Sequence, residues 1–274
     1  MSYSTLMVHL DIDRSNKARL QIAGELADRF DARLIGIAAA DIQPPLYFME
    51  GEAAQDQLEK DRARLKSQIV DCEAEFRGAL KGLADRIEWR TAIEWPTDFV
   101  ARNARAADLV IIGSEARRAD VTRHVDAGGL VMRAGRPVLL VPSEVEWLKL
   151  KTIIVAWKDT REARRAVSDA LPLLHMAREV IIVELLEAGA DQIAAKTRVD
   201  DVAQWLVRRK INASSIATKT LINMAGQFTL LAQDEGASII VAGAYGHTRF
   251  QEWIFGGVTR DLLTQQKCCA LLSH

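Results

Sequence analysis

The stretch Ser238-Ile239-Ile240-Val241-Ala242-Gly243-Ala244-Tyr245-Gly246, together with residues 247–263, decides how this chain is read. An apolar run stops at Gly243. Gly246 comes shortly after, Gly256 and Gly257 stand further on, and Val258-Thr259-Arg260-Asp261-Leu262-Leu263 opens a helical pattern. The order is a buried strand, a glycine-punctuated loop and the first turn of a helix. Glycine lets a backbone approach a ligand closely. The free amides of a helix N-terminus favour an anion such as phosphate. The pattern points to a nucleotide phosphate held largely by main chain.

Working outward, the chain matches itself. Leu6-Met7-Val8-His9-Leu10-Asp11 corresponds to Ile153-Ile154-Val155-Ala156-Trp157-Lys158. Asp108-Leu109-Val110-Ile111-Ile112-Gly113 corresponds to Ser238 through Gly243, and Arg136 through Val141 corresponds to Lys267 through Leu272. A duplication of this kind governs the architecture. Strands are expected at 5–11, 33–39, 86–92, 108–113 and 137–141, then at 152–157, 178–185, 213–221, 238–243 and 268–272. Helices are expected at 15–30, 52–81, 97–106 and 125–134, then at 160–176, 190–209, 225–235 and 257–266. Strands alternating with helices imply an α/β fold, a parallel sheet with helices on both faces of each half. Pro142-Ser143-Glu144 breaks the last strand of the first half, which sets domains at 1–142 and 151–274. In such sheets ligands sit beyond the carboxyl ends of strands, where strand order reverses. Asp11 with Gly113, and Lys158 with Gly243, therefore frame two candidate pockets.

Composition narrows the classes. A hydrophobic content of 49%, a charged content of 27% and a net charge of −1 fit a globular protein without a global basic field for nucleic acid. No apolar run is long enough to span a bilayer. Met1-Ser2-Tyr3-Ser4-Thr5 lacks a basic region and enters a strand directly, so no signal peptide is expected and a cytoplasmic location is. Cys72 stands alone, and Cys268 and Cys269 are adjacent, which is neither a disulfide framework nor metal-ligand spacing. The adjacent pair is expected as buried small hydrophobes on opposite sides of a strand. The five histidines show no zinc spacing, so no metal site is expected. Gly113-Ser114-Glu115 is not a nucleophile elbow, and the second-half loop is neither a Walker A nor a G-x-G-x-x-G. Leu58, Leu65, Ile69, Cys72 and Phe76 mark an amphipathic helix, and Pro44-Pro45-Leu46-Tyr47-Phe48-Met49 an apolar loop. Trp89, Trp95, Trp147, Trp157, Trp205 and Trp253 are expected in core or interface positions.

The second half resembles a universal stress protein domain, and the whole chain resembles a tandem, two-domain member of that family. The family's nucleotide loop, Gly-x2-Gly-x9-Gly-Ser/Thr, is matched by Gly243, Gly246 and Gly256, with Gly257 at the hydroxyl position. The family's first strand ends in an aspartate that commonly holds adenosine. Here that position is Lys158, with Asp159 next, whereas the first half keeps the acid as Asp11. The first-half loop is eroded: Gly113 remains, Ala116 replaces the second glycine, Asp126 stands at the third position, and Gly128 and Gly129 come later. Arg117, Arg118, Arg123 and His124 lie between as side chains able to meet an anion.

The resemblance implies two tandem Rossmann-like domains of the adenine nucleotide alpha hydrolase type. Each is a five-stranded parallel sheet with helices on both faces. It implies pairing through the last strands, 137–141 and 268–272, as an intramolecular pseudo-dimer, with a homodimer of such chains as a further option. It implies a stress-response protein holding ATP or a related adenine nucleotide, with magnesium accompanying it. The contacts would come from Ala156, Trp157, Lys158, Gly243, Gly246, His247, Gly256, Gly257, Val258 and Thr259. A second, weaker site would use Asp11, Gly113, Gly128 and Gly129. No motif places a general base for phosphoryl transfer, so any ATP hydrolysis is expected to be slow. Two other functions stay open: a scaffold for protein partners with both pockets vestigial, and a binder or enzyme for another small metabolite at the altered Asp11 or Lys158 pocket.

Overall fold

The computed structural model describes residues 2–42, 52–114, 120–244 and 268–274. The first half supplies β1 (Thr5–His9), α1 (Lys17–Phe30), β2 (Arg33–Ala39), α2 (Glu52–Ala79), β3 (Ile87–Ala92), α3 (Pro96–Asn103), β4 (Leu109–Gly113), α4 (Ala127–Ala134) and β5 (Val138–Val141). The second supplies β6 (Thr152–Ala156), α5 (Arg161–Met176), β7 (Glu179–Leu186), α6 (Gln192–Val207), β8 (Ala213–Lys219), α7 (Met224–Asp234), β9 (Ala237–Gly243) and β10 (Cys269–Ser273). The expected helix 257–266 and the apolar loop 44–49 fall outside the described residues.

Both halves contribute to one sheet, ordered β3-β2-β1-β4-β5-β10-β9-β6-β7-β8. Strands within a half are parallel, and the halves join where β10 runs antiparallel to β5, with Leu271 opposite Leu139. That pairing of last strands closes two edges that would otherwise expose unpaired amides and carbonyls. Strand order reverses between β1 and β4 and again between β6 and β9.

The Val- and Ile-rich runs are strands buried on both sides. Leu109 and Ile111 of β4 enter one core, and Val110 and Ile112 enter the other, as the two-residue period of a strand requires. One face carries a core common to both halves, including Leu20, Ile22 and Phe76 from the first and Val167, Leu174 and Leu206 from the second. The opposite face carries two cores, one around Val100 and Leu130 that reaches Ala242 and Leu272 across the seam, and one around Phe228 and Ala232 in the second half. The junction between the halves is itself packed: Leu148 is buried, and the Tyr3 hydroxyl donates to the Asp169 carbonyl at 2.7 Å.

Helix starts follow local chemistry. Thr160, Asp191 and Asn223 cap α5, α6 and α7 through side-chain oxygens that accept backbone amides. In α2, Leu65, Ile69, Cys72 and Phe76 are buried and Leu58 is exposed. A Cβ at Gly36 would come 2.7 Å from the Phe76 ring, so the bare glycine admits that side chain. Strand β1 stops at His9 because the Asp11 amide turns away to the Asn16 side chain. Trp95 and Trp147 are exposed, unlike the core or interface placement expected of the tryptophans. Cys268 and Cys269 join cores on opposite faces, and burial pushes the Cys268 thiol up to about 12.

Candidate functional site

The two points of strand reversal differ because the connections into their helices differ. Residues 157–160 link β6 to α5, a tight connection that lays the first turn of α5 on the end of β9. A Cβ at Gly243 would come 2.4 Å from the Ala163 nitrogen and 2.5 Å from the Glu162 carbonyl carbon. Gly243 is therefore required by helix packing, whatever else it does. Residues 10–16 link β1 to α1, a longer connection. Here a side chain approaches the matching glycine: a Cβ at Gly113 would lie 3.1 Å from Arg19 Cζ.

Arg19 fills the first-half site. Its guanidinium donates to Asp11 Oδ2 at 2.6 Å, to the His9 carbonyl at 3.0 Å and to the Ser15 carbonyl at 3.3 Å. Arg19 and Asp11 are only 4% and 7% exposed. Burial alone would raise the Asp11 carboxyl, but the Arg19 charge and hydrogen bond, with a contribution from His9, hold it below its ordinary value. Burial drives His9 the other way, down to about 4, so its imidazole is neutral. Asn16 both donates to the Asp11 carbonyl and accepts from the Asp11 amide. His124 Nε2 lies 2.8 Å from Asp13, and Arg123 pairs with Asp120. At the start of α4, Gly129 donates its amide to Asp126 Oδ2 at 3.0 Å, with Gly128 buried in the same turn. The acid at the third loop position thus caps its own helix. Asp11, Gly113 and Gly129 are each engaged by this chain's own side chains.

Among the described residues, the second-half site keeps an open cavity. Ala156 ends β6 and is half-buried, Trp157 is buried, and Lys158 is exposed. Among the described residues, the Lys158 ammonium has no carboxylate within ion-pair distance, because Asp159 pairs with Arg164 and Glu162 with Arg161. A cavity of about 330 Å³ lies at the ends of β6 and β7, lined by Ala156, Trp157, Lys158, Leu185, Met224 and Phe228, among others. Glu184 and Arg198 also line it, both Glu184 oxygens accepting from Arg198. Ala156 pairs with Ala242 across β6 and β9, so the cavity and the glycine loop start from adjacent strand ends. Gly246, His247, Gly256, Gly257, Val258 and Thr259 lie outside the described residues. Glu184, Arg198, Met224 and Phe228 are members of the site that sequence reasoning missed. The acid Glu184 inside the apolar run Val180 through Leu186 was the available signal.

Among the described residues, no group of three acidic, histidine or cysteine side chains can hold a metal, and no helix is long and apolar enough to cross a membrane. No family model and no curated protein matches the chain. Solved structures do. A universal stress protein from Archaeoglobus fulgidus superposes over 98% of this chain and 95% of its own, with a TM-score of 0.72 and 11% identity. A putative universal stress protein from Pseudomonas aeruginosa superposes over 99% and 93%, with a TM-score of 0.61 and 14% identity. A functionally unknown protein from the same species gives 99% and 92%, with a TM-score of 0.60 and 13% identity. At such identities the likeness is one of fold, and it spans both halves: this chain has the fold of a tandem universal stress protein.

Proposed function

We propose that this protein is a universal stress protein that holds an adenine nucleotide, ATP or a close relative, at the carboxyl end of its second-half sheet. The contrast between the two strand reversals carries the reading. Arg19 fills and neutralises the first, whereas the second keeps a cavity of about 330 Å³ beside a lysine with no ion-pair partner among the described residues. That volume lies within the ~300–1,000 Å³ of small-molecule sites. Leu185, Met224 and Phe228 offer apolar surface to a flat base. Lys158 offers a point charge to phosphate, and the glycine spacing from Gly243 to Gly256 is the reason to expect main-chain amides there. Magnesium would accompany the phosphates. Domain 1–142 then serves as the closed partner of domain 151–274 in a cytoplasmic protein. A ligand held by the loop 244–256 would change the surface offered to a protein partner.

Calorimetry of the full chain with ATP and magnesium, and native mass spectrometry of the purified protein, test this. One nucleotide per chain is expected. Lys158→Ala should weaken binding about tenfold, the loss of one charge-assisted contact, and Gly246→Asp should abolish it by setting a carboxylate against phosphate. Two nucleotides per chain, or binding that survives both substitutions, would overturn the reading. The closed first half favours a second reading, a scaffold with both pockets vestigial, and a chain that never takes up nucleotide would support it.

A further inference from the structure

A second cavity of about 510 Å³ lies between α5 and α6 and shares Trp157 and Arg198 with the cavity at the ends of β6 and β7. Its apolar lining is Trp157, Trp205, Val167 and Val202. Trp205 is held in place by Arg209, whose guanidinium sits 3.6 Å from the ring centroid. Trp157 is buried, and its indole N–H has no acceptor among the described residues.

The charges around this cleft sort into pairs and a remainder. Arg164 is bonded to Asp159, and Arg198 is bonded to Glu184. Arg208 and Asp201 remain, both lining the cavity and both exposed, with no ion pair to any described residue. Asp201 lies on α6 and Arg208 caps the C-terminus of that helix, seven positions on and about two turns away on the same side. One unpaired cation and one unpaired anion beside two indoles complement a zwitterion with an aromatic body. A ligand bearing a single charge would leave one of the two facing a like charge or nothing.

We propose that the α5–α6 cleft binds a free aromatic amino acid, with its ring against Trp157 and Trp205, its carboxylate on Arg208 and its ammonium on Asp201. The cleft borders the proposed nucleotide cavity through Trp157 and Arg198, and its binding of an amino acid does not require nucleotide. Titration of the nucleotide-free full chain with L-phenylalanine tests it, by calorimetry and by the ¹⁵N-detected indole resonance of Trp157, assigned with Trp157→Phe. Saturable binding that moves the Trp157 resonance is expected. 3-Phenylpropionate and phenethylamine, which each lack one charge, should bind at least about tenfold more weakly, and Arg208→Ala and Asp201→Asn should each weaken L-phenylalanine by about the same factor. Both positions are exposed and unpaired among the described residues, so circular dichroism should show the fold intact. No saturation up to about 10 mM, an unmoved Trp157 resonance, single-charge analogues that bind as well as the amino acid, or an affinity unchanged in either variant would each overturn the proposal.

Discussion

Arg19 sits where an amphipathic helix meets a sheet, on a stretch that also buries Leu20, Ile22 and Ala23. A charged side chain only 4% exposed must be neutralised and hydrogen-bonded, and Asp11 with two backbone carbonyls does so. Arg19→Ala leaves Asp11 buried without its cation, and removal of one member of a buried pair costs about 3–5 kcal/mol. Urea unfolding should show that loss, and the double variant Asp11→Asn with Arg19→Met should recover most of it, since no buried charge is then left alone. Next to this pair, His9 sets a pH dependence. Its folded value, about 4, lies below the ~6.5 of an unfolded histidine, so the unfolded chain takes up a proton in that window that the folded chain refuses. The contribution is complete above pH ~6.5 and is lost as pH falls toward 4, at up to ~1.4 kcal/mol per pH unit. Asp11, held below its ordinary carboxylate value, adds its own loss at lower pH. The Tm of the wild-type chain should drop across pH 6.5 to 4, and His9→Gln should lack that part of the slope. An identical slope in the variant would exonerate the histidine.

Elements show how a duplicated sequence produces two unlike sites. The glycines ending β4 and β9 match in sequence, yet Gly243 faces the backbone of α5 and Gly113 faces the tip of a side chain. Backbone cannot retreat without moving the helix, whereas a guanidinium can shift by a few tenths of an ångström. Gly243→Ala should therefore cost several-fold more stability than Gly113→Ala, roughly 3 kcal/mol against about 1, as read from denaturant midpoints. Equal costs would mean that α5 does not rest on β9 as described. The strands themselves were legible: runs such as Leu109 through Ile112 and Ile239 through Ala242 are too apolar to be anything but doubly buried. The caps that Thr160, Asp191 and Asn223 form follow from equally local chemistry. The occupant of each strand-end pocket was not legible, because periodicity says which face a residue takes but not where a long side chain ends. Arg19 reads as a solvated charge until the longer 10–16 connection is seen to leave room beneath it. Asp126 reads as a lost loop glycine until its carboxylate is found on the Gly129 amide.

For the whole molecule, the consequential feature is that the halves are not beads on a string. β5 and β10 pair in register, Leu139 and Leu271 lie opposite each other, and both are fully buried in the core that the two halves share. Sequence alone could show two unsatisfied edge strands, and only the family likeness suggested that they meet. It gave no sign that one face would fuse into a common core through α1, α2, α5 and α6, because that depends on which faces the twisted sheet brings together. A shared core couples the unfolding of one half to that of the other. Truncation of a buried leucine in such a core costs about 2–5 kcal/mol. Leu139→Ala and Leu271→Ala should each destabilise the entire chain by that order, although one lies in the first half and the other in the second. Because the two side chains face each other, the double variant should lose less or more than the sum of the singles by at least about 0.5 kcal/mol. Far-UV circular dichroism and tryptophan fluorescence should then report one coincident transition for the wild type and for every variant. A split into two transitions, with each leucine shifting only its own, would show that the halves fold as independent units joined by no more than a strand edge.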